Sequence, residues 1–235
     1  MSQTTFCVVT SLITVIGCSA GPEISLTGLV NELGGSDGLT DAQVCGTQSD
    51  LADCTTTQND GTYTLLNIAS ESNISLTVSK EGYLGGVIPV STRSDTQAVP
   101  VVSLGSSLLV ELQRGILNVE AVADSGQLAF SISNGINGDG VNVANMQVSL
   151  EPSTGGGPFY SNESGLPDPV LEQTSVNGGG VFVNLAPGQY TLQHTNLPEN
   201  CKALLGWGEA ESISFEIIAN RVTYARVECF ESNSP

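Results

Sequence analysis

The chain has little charge, and what charge it carries is lopsided. Charged residues are 13% of its 235 positions, with 6 Lys and Arg against 24 Asp and Glu. A net charge of -18 repels a phosphate backbone, which excludes nucleic acid as a partner and disfavours electrostatic docking on anionic lipid. Aromatics are scarce at 5%, with a single Trp, so any exposed ring would carry meaning. Imidazole chemistry has one candidate, His194, and neither a Gly-x-Ser-x-Gly turn nor a triad pattern accompanies it. No Cys-x-x-Cys pair and no His-x-x-Glu motif offers a zinc site, and no cofactor motif is present. The longest early apolar run, Phe6 to Gly17, has about 12 residues, short of the roughly 20 that a bilayer-crossing helix needs.

What is abundant points to β-structure. Gly (27 residues), Ser, Thr, Asn and Val dominate, so β-formers alternate with turn formers. Ile74, Leu76 and Val78 fall on one face of a period-two pattern, as do Ile213, Phe215 and Ile217, and Tyr190 with Leu192. Val181, Val183 and Leu185 read as a further set. Asn59-Asp60-Gly61 and Pro187-Gly188 punctuate these runs as turns. Leu104 to Leu112 reads as a strand by alternation, although Leu104, Leu108 and Leu112 also fit helical spacing. From Glu151 to Asp168 the alternation lapses among Pro, Gly and Ser, which reads as a long surface loop. Short half-buried strands at these intervals predict an all-β fold of sandwich type.

The early apolar run ends in Val15-Ile16-Gly17-Cys18, and its length suits a signal-peptide core. This tetrapeptide resembles a bacterial lipobox. The resemblance implies a leader over 1–17, lipidation of the Cys18 thiol, a short tether over 18–23 and attachment to membrane through Cys18. Stable anchoring takes more than one acyl chain, and a diacylglyceryl thioether plus an N-acyl group supplies that. Ser19, where an Asp would favour inner-membrane retention, implies the outer membrane.

Two weakly similar units follow. The first carries Asn59-Asp60-Gly61-Thr62-Tyr63 and ends at Gly82-Tyr83; the second carries Asn184-Leu185-Ala186-Pro187-Gly188-Gln189-Tyr190. These residues resemble the carboxypeptidase regulatory-like domain, a transthyretin-like (prealbumin-like) sandwich of about seven strands. The resemblance implies two tandem transthyretin-like or Ig-like sandwiches over 24–113 and 114–230, with a tail over 231–235. It covers the accessory sandwich alone and brings no peptidase chemistry with it.

With Cys7 in the leader and Cys18 lipidated, Cys45, Cys54, Cys201 and Cys229 remain. An even number in an exported chain suggests two disulfides, of three possible connectivities. Cys45–Cys54 and Cys201–Cys229 are favoured, because each pair falls inside one unit. Asn137 and Asp139 invite a calcium reading, but EF-hand spacing places Gly135 and Met146 at ligand positions. Trp207 and Tyr160 are the rings that could face a sugar, with packing in the core or over a disulfide as the other reading of Trp207. The expectation is a non-catalytic, lipid-anchored envelope protein with a structural or adhesive role. Its alternative is a carbohydrate- or peptide-binding module that meets an envelope protein or polysaccharide.

Overall fold

The computed structural model describes residues 22–46, 54–134 and 143–230. The first half supplies β1 (Glu23–Glu32), β2 (Gln43–Gly46), β3 (Cys54–Thr56), β4 (Thr62–Ala69), β5 (Asn73–Ser79), β6 (Gly85–Ser91), β7 (Gln97–Ala98) and β8 (Val102–Leu104). Helix α1 (Ser107–Leu117) follows. The second half begins with β9 (Gly126–Asn134), β10 (Gln147–Glu151), β11 (Gly156–Tyr160), β12 (Gly179–Leu185) and β13 (Gly188–Thr195). It closes with β14 (Cys201–Leu205), β15 (Trp207–Glu209), β16 (Ser212–Ile217) and β17 (Arg221–Cys229).

Local chemistry accounts for many of these boundaries. Before β4, the Asp60 carboxylate accepts hydrogen bonds from the Thr62 amide and hydroxyl, and Gly61 takes a φ of 78°. A side chain at Gly61 would collide with the Val30 carbonyl, which is why the turn needs glycine there. The Pro187-Gly188 corner leads into β13, where the Tyr190 hydroxyl donates back to the Ala186 carbonyl at 2.9 Å. Alternation does the rest. Ile74, Leu76 and Val78 on β5 are buried, as are Ile213, Phe215 and Ile217 on β16.

The sheets give the fold its plan. A nine-stranded sheet runs β11-β12-β9-β17-β6-β5-β2-β3, with β14 also paired to β17. One smaller sheet, β4-β1 with β7 and β8, encloses a first core that includes Leu26, Leu65, Leu76 and Ile88. Another, β10-β13-β16-β15, encloses a second core that includes Leu128, Phe130, Leu192 and Phe215. The chain is therefore all-β with two sandwich cores, as its composition predicts.

The two cores share one sheet, and β17 is where they meet. It runs parallel to β9 from Val222 to Cys229 on one side. Its other side pairs in parallel with β6 through Arg221, Val222 and Thr223, then antiparallel with β14 from Arg226 to Cys229. Successive side chains of a strand face opposite ways. Tyr224 accordingly packs on the first core, whereas Ala225, Val227 and Cys229 belong to the second.

Three sequence expectations change. Residues 107–117 are helical, not a strand, because Ser106 caps the first turn through Leu109 N and Asn118 takes the left-handed conformation at the other end. The Glu151–Asp168 stretch contains β11, which pairs with β12 over the backbone left open by Gly180. On β12, Val181 is half-buried and Phe182 is in the core, because a register shift between Phe182 and Leu185 reverses the facing.

Candidate functional site

The predicted cysteine pairs are both formed. Cys45 and Cys54 sit directly opposite one another on β2 and β3, with Cα atoms 4.0 Å apart. Cys201 and Cys229 are opposed on β14 and β17 at 3.9 Å. The second bridge pins the last residue of the shared strand. In a chain-entropy account, loops of these sizes contribute roughly 3 kcal/mol each. Cys18, its leader and its tether lie outside the described residues, as do Asn137 and Asp139.

The aromatic platform does not assemble. Tyr160 is 2% exposed, stacks edge-on against Phe130 with centroids 5.9 Å apart, and its hydroxyl accepts from the Val148 amide. It seals the edge of β10 inside the second core and cannot face a sugar. Trp207 is half-buried on β15, and its indole N–H donates to the Ile74 carbonyl of β5 at 3.4 Å. That bond joins a residue of the second half to a strand of the first.

His194 is buried against β10, opposite Val148, and its amide donates to the Glu211 carbonyl. Desolvation lowers its pKa to about 4, against the opposing pull of the Ala210 backbone and the Glu211 carboxylate. Among the described residues, no group of three His, Cys, Asp or Glu side chains could hold a metal ion.

What the fold does bring together is a junction. Leu205 of β14 reaches into the first core, the Gly206 amide donates to the Pro89 carbonyl of β6, and Trp207 reaches Ile74. From β17, the Tyr224 hydroxyl donates to the Ser103 carbonyl at 2.6 Å. Gly86 opens the space this ring needs; a Cβ there would lie 3.0 Å from Tyr224. Sequence reasoning missed the junction because parallel pairing across more than a hundred residues leaves no local trace. Two signals were present: the Gly85-Gly86 doublet before an apolar run, and a β17 segment with apolar residues at both parities.

No protein-family model matches the chain, and no curated protein matches it. Among solved structures, the minor pilin of Streptococcus agalactiae superposes with a TM-score of 0.33 and 12% identity, over 90% of this chain and 97% of that one. The shaft pilin SpaA from Lactobacillus rhamnosus GG gives 0.28 and 10%, over 91% and 99%. The Bacillus anthracis TIE protein gives 0.28 and 18%, over 87% of this chain, which spans 34% of that protein's length. At these TM-scores the likenesses establish neither a common fold nor a common function.

Proposed function

We propose that this chain is a non-catalytic, lipid-anchored protein of the cell envelope, held at the outer membrane through Cys18 and serving a structural or adhesive role. The observation that carries the reading is the way β17 is held. Cys229 is bridged to Cys201, so tension arriving at the C-terminal end of β17 meets a covalent bond before it meets the sheet. Behind that bridge, β17 is paired in parallel with β9 over eight residues, Val222 to Cys229, through an evenly spaced ladder.

The two sandwiches are read as carboxypeptidase regulatory-like modules over 24–113 and 114–230, fused into one body that can transmit load from an anchored end. The acidic balance of the chain supports the same reading, since a net charge of -18 suits a solvated surface and a covalent rather than electrostatic attachment. Sugar binding at Trp207 and Tyr160 loses its support, because Tyr160 is buried and Trp207 is engaged with Ile74.

Intact mass of the protein purified from native membranes, with and without thiol alkylation, tests the anchor. A species starting at Cys18 with a lipid-sized increment and no free thiol is expected. A chain starting at Met1 with alkylatable thiols would sink the reading.

A further inference from the structure

Two of the six basic side chains in this chain, Arg114 and Arg221, line one cavity of about 370 Å³. It lies where α1, the 118–125 connection, β9 and the start of β17 come together. Ser125, Gln127 and Asn220 supply polar groups, and Leu84 and Val122 are among its apolar lining. Among the described residues no carboxylate lines it, although acidic residues outnumber basic ones 24 to 6 in the chain. A pocket of this size is in the range that holds a small ligand.

Both guanidinium groups are held in place. Arg114 Nη1 pairs with the exposed Glu111 carboxylate at 2.9 Å, one turn back on α1. Its Nε is buried and has no hydrogen-bond partner among the described residues. A buried donor left unpaired on a cation is costly. Arg221 donates through Nη1 to the Val78 carbonyl at 3.3 Å. It rests over Gly85, its partner in the parallel register with β6, where a Cβ would lie 2.7 Å from Nη1. The absent side chain at Gly85 is what gives this arginine its seat.

We infer that the cavity binds a small organic carboxylate with a short apolar arm, the carboxylate between Arg114 and Arg221 and the arm against Leu84 and Val122. Two arginines, of which only Arg114 has a carboxylate partner, the exposed Glu111, select for negative charge, and the apolar lining selects against a bare, fully hydrated anion. This site stands apart from the anchoring role and does not depend on it.

The test is a titration of the full chain with N-acetylleucine, which has one carboxylate, an isobutyl arm and no amine. It is followed by the arginine Nε–Hε resonances in nitrogen-edited NMR. Saturable millimolar shifts at Arg114 and Arg221 are expected, with affinity falling about tenfold or more in R114Q and in R221Q. The uncharged N-acetylleucinamide should leave both resonances in place, a control that does not require any variant to fold. Equal shifts with the amide, no shift with the carboxylate, or tighter saturation by inorganic phosphate would each overturn the assignment.

Discussion

The hydroxyl of Tyr224, in β17, donates to the backbone carbonyl of Ser103 at 2.6 Å. The ring packs on the first core while its neighbour Ala225 lies in the second, so one dipeptide couples the two halves. Burial raises the phenol pKa well above its ordinary value, which keeps the donor protonated. Tyr224→Phe should therefore lower stability by about 1 kcal/mol, since it strands the Ser103 carbonyl while keeping the packing. Tyr224→Ala should cost about 3–5 kcal/mol. Denaturant midpoints measure both, and equal effects would mean that the hydroxyl, not the ring, is what matters.

The bridges should contribute separately. Replacing Cys201 and Cys229 together by Ser should lower stability by roughly 3 kcal/mol, and the Cys45, Cys54 pair by a similar or smaller amount, given its shorter loop. Thermal unfolding of the two double variants is the comparison. A negligible effect at Cys201 and Cys229 would remove the pinned end of β17 from the account.

His194 gives the protein a pH dependence of predictable sign. Its folded pKa of about 4 lies below the usual imidazole value, so the unfolded chain binds the proton more readily. Stability is fully present above the unfolded pKa and is lost as pH falls from about 6.5 toward 4, by up to about 3 kcal/mol. His194→Gln should flatten the stability profile in that window relative to the parent protein. An unchanged slope would mean that carboxylates alone produce it.

Close backbone approach makes a sharp glycine contrast. A Cβ on Gly38 would lie 1.9 Å from the Asp60 carbonyl oxygen, whereas at Gly35 the nearest atom is 3.7 Å away. Gly38→Ala should cost about 2 kcal/mol or more, and Gly35→Ala about 0.5 kcal/mol or less. Paired melting curves decide it.

Much of this architecture can be read in the sequence, and the failures share a cause. Ile74, Leu76 and Val78 declared their strand because one face is buried and the pleat has period two. The same pattern carried His194, two residues beyond Leu192, to its buried position. Local signals also sufficed for the cysteine pairs, which sit on neighbouring strands. Where the pattern was ambiguous, tertiary context decided: Leu108 and Leu112 are exposed on a helix at 82% and 56%, burial that no alternation rule anticipates. Phe182 replaced Val181 in the core because a register shift, with Asn184 at a φ of 55°, is invisible to a strict period. The pairing of β17 with both β6 and β9, and hence the Arg114–Arg221 cavity, depends on contacts distant in sequence. Tyr160 was misjudged for that reason too: its burial follows from β11, a strand hidden among Gly and Pro.

The central claim is that two sandwich cores form one load-bearing body through β17. Single-molecule extension of the disulfide-intact chain, pulled from its two ends, tests it most directly. The account predicts one cooperative rupture that releases both cores together, with the segment between Cys201 and Cys229 remaining closed. Two separate ruptures, each releasing the length of one sandwich, would contradict it.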